Sequence, residues 1–122
     1  MLYSELQEIR NLKTEEKFLN NVLQKINKHN KTHNTECESY SRERISEALK
    51  EVQSRRHDLI KKLNGILKDE RVYDVQKDAI KLFYINNMSL EKIQTKLSHK
   101  YNRVIVFNNF HRDVKDLLYK EY

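Results

Sequence analysis

Near the C-terminus, Ile105, Asn108, Asn109 and Arg112 are side chains able to read the edges of base pairs. Asparagine matches N6 and N7 of adenine, arginine matches O6 and N7 of guanine, and isoleucine can rest against a thymine methyl. Around them Ser89, Lys96, Lys100, Arg103 and Lys115 supply a hydroxyl and cations that suit phosphate oxygens. Asp113 and Asp116 put opposing charge beside that path. Asn and Arg are also ordinary on any solvated helix face, so what these residues do depends on the elements that hold them.

Other chemistry is sparse. His29, His33 and Cys37 recur every fourth residue and would align as metal ligands on a helix. They fall, however, in a stretch rich in Asn, Thr and Ser, side chains that compete for backbone hydrogen bonds, and the stretch reads as a solvated linker near 29–41. Neither a metal nor a cofactor is expected. The chain has no glycine-rich phosphate loop, nucleophile elbow, zinc-protease motif or Cys-x-x-Cys pair, so it is not expected to be an enzyme. The single cysteine excludes an intramolecular disulfide and agrees with a reducing compartment.

The elements that must position these residues are helices. The 122 residues include no proline and one glycine, Gly65, while 34% are charged and only 38% hydrophobic. Sheets and tight turns usually need the missing punctuation, and so small an apolar fraction favours long helices with narrow stripes. The expected class is all-α. From Leu2 the apolar positions Leu6, Ile9, Leu12, Leu19, Leu23 and Ile26 form one helical stripe, widened by Phe18 and Val22. A second stripe alternates fours and threes through Ile45, Leu49, Val52, Arg56, Leu59, Leu63 and Ile66, a heptad seam with one polar intruder at Arg56. A charge there can select register or partner, or snorkel to water. Residues 1–68 therefore read as a helical hairpin or coiled-coil arm, with Leu6, Ile9, Leu23, Leu49, Val52, Arg56, Leu59 and Leu63 on the seam. The two helices could fold on each other or pair with another copy.

Residues 72–122 read as a second unit. Ala79, Ile80, Leu82 and Phe83 make a short amphipathic helix. Asn86, Asn87 and Met88 form a turn in which Asn tolerates positive φ, and Ser89 caps a helix carrying Leu90, Ile93 and Leu97. A turn over Ser98–Asn102 should lead to a last helix from near Arg103 to Tyr119. Its inner face would hold Val106, Phe107, Phe110, Val114, Leu117 and Leu118, and its outer face Ile105, Asn108, Asn109, Arg112, Asp116 and Tyr119. The alternative for Val104–Phe107 is a short strand. Helix, tight turn, short helix, turn and longer helix is the order of a helix-turn-helix.

The stretch DAIKLFYINNMSLEKIQTKL, through its Phe83-Tyr84-Ile85, Met88-Ser89, Glu91, Ile93 and Leu97, resembles the first two helices of sigma-70 region 4 and of sigma-like phage regulators. Asn87 stands where that pattern has glycine, and the second turn is about two residues longer. The layout of the whole chain looks like that of ArpU-type late transcription regulators. The resemblance implies a phage or prophage regulator that binds double-stranded promoter DNA or acts with host RNA polymerase, and the N-terminal arm would serve to form a homodimer or to reach the polymerase. The alternative is a protein-binding inhibitor or adaptor keeping the sigma-like fold, with Tyr101, Ile105 and Tyr119 toward its partner. A formal charge of +6 permits a polyanionic partner. No apolar run reaches the roughly 18 residues that cross a bilayer, and the first residues lack a signal-peptide core, so no membrane contact and a cytoplasmic location in a bacterial host are expected.

Overall fold

A computed structural model of the chain describes residues 1–30 and 36–120, with side chains described over 1–28 and 41–118. Its elements are α1 (Tyr3–Asn30), α2 (Glu36–Leu67), α3 (Asp74–Ile80) continued by a π-helical turn (Lys81–Ile85), α4 (Leu90–Lys100) and α5 (Phe110–Lys120), with no strand among the described residues. The all-α expectation is met. The polar stretch expected as a linker is instead helical at both ends, over 27–30 and 36–41. Asn, Thr and Ser lower helix propensity by only tenths of a kcal/mol each, too little to stop a helix already propagating from a packed face.

α1 and α2 pack as an antiparallel hairpin within the chain. Lys62 pairs with Glu5 at 3.2 Å, Arg55 with Glu8 at 3.0 Å, and Gln53 donates to Glu16 at 3.2 Å, so numbering rises along α1 as it falls along α2. These exposed pairs are screened by water and mainly mark the register; the apolar seam between them does more. Leu6, Ile9, Leu12, Val52, Leu59, Leu63 and Leu67 are buried, each stabilising the fold by roughly 1.5–3 kcal/mol. Farther from the C-terminal elements Leu23 and Leu49 are only half-buried, and Phe18, expected to widen the stripe, is exposed. Two helices cover only their facing stripe. The seam is dry only where further elements cover the hairpin.

That cover comes from the C-terminal elements, and the two segments share one continuous apolar cluster, from Leu6 and Leu59 through Val72, Ile80 and Phe83 to Val114 and Leu118. Phe83 stands edge-on to Phe110 with ring centroids 5.2 Å apart, and Phe107 to Phe110 at 5.5 Å, geometries favoured by the ring quadrupoles. Ile93 and Leu97 fill the inner face of α4 in the same cluster.

Candidate functional site

The turn between α3 and α4 is set by local chemistry. At the end of the π-helical turn Asn86 N–H donates to the Lys81 carbonyl at 3.2 Å and Met88 N–H to that of Leu82 at 3.0 Å. Between them Asn87 takes φ 55°, the left-handed conformation that ends a helix in this way. Ser89 then adopts extended φ/ψ, and its hydroxyl accepts from Lys92 N–H at 3.4 Å, capping α4. The cap uses the hydroxyl as an acceptor, and its O–H is the group that would meet phosphate. α4 ends similarly: Arg103 N–H reaches the Ser98 carbonyl at 3.2 Å past Asn102, whose φ is 51°.

The same turn is held to the hairpin. Arg56 donates to the Ile85 carbonyl at 2.6 Å and Lys13 to the same oxygen at 3.4 Å, while Asn87 Nδ2 donates to the Arg10 carbonyl at 3.0 Å. Arg56 thus neither snorkels nor pairs with another helix's acid. It caps the end of the π-helical turn, an acceptor orphaned by helix termination. The Arg10 guanidinium lies over the Phe83 ring at 4.0 Å, adding a cation–π contact across the same junction.

The last helix departs from expectation. It begins at Phe110, and the connection 101–109 is irregular. Val104 and Val106 are 88% and 59% exposed, whereas Ile105 between them is buried. This in-and-out alternation is that of extended chain, held where Ser98 Oγ accepts from Ile105 N–H at 3.0 Å and reaches its carbonyl at 3.5 Å. A run of β-branched residues resists the helix, and the left-handed Asn102 has already redirected the backbone. Ile105 is therefore a core residue and cannot read a base, and Val106 is not core. Asn108 and Asn109 are exposed but precede α5. The Asn109 carbonyl accepts the Asp113 N–H at 2.9 Å, which places Asn109 at the helix start, so Asn108 and Arg112 do not stack on one helical face. From Phe110 onward the expected register holds: Phe110, Val114 and Leu118 are buried, and Arg112, Lys115 and Asp116 are exposed. The side chain of Tyr119 lies outside those described.

Among the phosphate candidates, Lys96 and Arg103 are exposed. Lys92 and His99, also exposed, share the outer face of α4 with Lys96 through spacings of four and three. Sequence reasoning passed over both, although the periodicity that placed Ile93 and Leu97 inside already put them outside. Lys100 pairs with Asp78 on α3 at 2.7 Å, and Tyr101 donates to the same carboxylate at 2.5 Å. Burial raises the Asp78 pKa, but the hydrogen bonds from Lys100 and Tyr101 outweigh it and hold the carboxyl below its usual range. Lys100 is thus a clamp between α3 and α4 rather than a free cation. Lys115 lies 4.7 Å from the centre of the Tyr3 ring.

His33 lies outside the described residues, and the side chains of His29 and Cys37 are likewise not described. Among the described residues no three His, Cys, Asp or Glu side chains gather as a metal site, and no described helix is long and apolar enough to cross a membrane. Compared with known proteins, the chain matches no protein-family model, no curated protein and no solved structure.

Proposed function

We propose that the chain is a DNA-binding transcription regulator of phage or prophage type, acting in the bacterial cytoplasm on promoter DNA, alone or with host RNA polymerase. The observation that carries this reading is the pair α3–α4, joined by the turn 86–89 with its left-handed Asn87 and capping Ser89, whose outer α4 face presents Lys92, Lys96 and His99. A short, fixed turn between two packed helices is what sets a helix-turn-helix on a duplex. In this reading Lys92, Lys96 and Arg103 neutralise phosphate, and Arg112, with Asn108 and Asn109 ahead of α5, reads bases. Ile105 has no part in it.

A salt-dependent mobility shift on duplexes from the protein's own genome tests the assignment. Lys96→Ala should weaken binding to all sequences alike and lower the salt slope by about one unit. Arg112→Ala should cost roughly 1–3 kcal/mol on the preferred site and leave non-specific binding nearly intact. A wild type showing no salt-sensitive shift would end the proposal. One observation favours a second reading, an adaptor that binds protein: Val104 and Val106 are exposed side by side on the connection 101–109. In that case Val104→Ser with Val106→Ser would abolish partner capture and leave any DNA binding unchanged.

A further inference from the structure

A cleft of about 470 Å³ opens where α1, the π-helical turn and the first turn of α5 meet, lined by Tyr3, Gln7, Arg10, Asn11, Thr14, Phe83, Tyr84 and His111. None of these side chains is acidic. Gln7, Asn11 and Thr14 lie at exposed positions on α1 with polar groups able to donate. The guanidinium of Arg10 lies over the face of Phe83, its carbon 4.0 Å from the ring centre, a contact that holds the cation beside the cleft. At the far side His111 sits in the first turn of α5, where unpaired amides give the helix its positive end, and its Nδ1 lies 3.1 Å from the Tyr3 hydroxyl.

The floor holds the telling group. Tyr84 is 1% exposed, and its buried hydroxyl makes no hydrogen bond of good geometry, with the Tyr3 hydroxyl as its polar neighbour. Burial, and then the neighbouring Tyr3 hydroxyl, push its pKa well above the usual phenol range, so it remains a donor at any ordinary pH. A buried hydroxyl left unpaired is costly, and such exceptions call for a cause. A fixed guanidinium, several neutral donors and no carboxylate form the complement of an oxyanion.

We propose that this cleft binds a small oxyanion, a phosphate or a carboxylate, with Arg10 as its principal contact and the Tyr84 hydroxyl donating from below. Occupancy would tie α1 to the π-helical turn and to α5, so the ligand would also stiffen the junction between hairpin and C-terminal unit. The assignment does not rest on the nucleic-acid reading, and its probes contain no nucleic acid, so each can fail without the other.

The test is an NMR titration of the full chain with sodium phosphate and, separately, sodium acetate, at ionic strength held constant with sodium chloride. Saturable shifts at the Arg10 side-chain N–H, the Tyr84 ring and His111 are expected in one arm or both, and the arm that saturates identifies the class. Asn11→Asp, at an exposed position, puts a negative charge at the rim and should weaken binding several-fold without altering the fold. Arg10→Gln should weaken it about ten-fold or more. Tyr84→Phe separates function from structure: it should lower affinity while leaving Tm unchanged or raised, because it removes the unpaired hydroxyl. Linear shifts in both arms, or saturation unchanged in Asn11→Asp and Arg10→Gln, would overturn the proposal.

Discussion

Asn87 combines two demands that no other residue in the turn meets. Its backbone is left-handed at φ 55° and its amide donates to the Arg10 carbonyl. Replacing it with Ala keeps the Cβ in the left-handed region, which costs roughly 1–2 kcal/mol for a residue without the short polar side chain that eases it in Asn, and removes a hydrogen bond of about 1 kcal/mol. Asn87→Gly loses only the bond. Urea melts should therefore rank wild type above Gly and Gly above Ala; equal Gly and Ala variants would show that the left-handed conformation is not what stabilises the turn. Arg56 is the companion case. Arg56→Met keeps much of the stem but strips the donor to Ile85, and the charged hydrogen bond it loses predicts a cost of about 1.5–3 kcal/mol.

Among the helices, α2 carries a free improvement. Gly65 lies inside it, and a Cβ built there meets nothing within 4 Å. Gly65→Ala should stabilise the chain by about 1 kcal/mol, read as a raised denaturation midpoint. The clamp between α3 and α4 predicts a pH dependence. The folded pKa of Asp78 is lowered from 3.8, so its contribution is fully present above the unfolded carboxylate range and is lost as pH falls through the folded value. The gap in urea midpoint between wild type and Asp78→Asn should thus be flat above about pH 5 and close below about pH 4. A gap that widens on acidification would mean that the pair with Lys100 and Tyr101 does not form in solution.

Across the whole molecule, one apolar cluster runs from the hairpin into the C-terminal elements, with Leu59 buried on α2 and Tyr84 buried at the junction. Removing atoms from the shared part should therefore loosen both segments together. Leu59→Ala is expected to cost roughly 2–5 kcal/mol. Far-UV signal, dominated by the long helices, and near-UV tyrosine signal, weighted by Tyr84, should move through a single coincident transition. Two separated transitions would show that residues 1–68 and 72–122 unfold independently.

Whatever depends on near neighbours along the chain was legible without coordinates. The threes and fours that bury Leu6, Ile9, Leu59, Leu63, Ile93 and Leu97, the capping Ser89 and the left-handed Asn87 are each set by residues within about a turn. The start of α5 was half legible: the apolar run Val104–Phe107 admitted a short strand as well as a helix, and the choice depended on Ser98 fixing Ile105 through a side-chain bond. The tertiary structure alone decided that α1 and α2 fold on each other, that Arg56 caps Ile85, that Lys100 is committed to Asp78, and that Arg10, Tyr84 and His111 meet around one cleft. Those partners lie 22 or more residues apart. No local periodicity can select among distant groups of similar chemistry; that choice belongs to the packing of helices over the shared core.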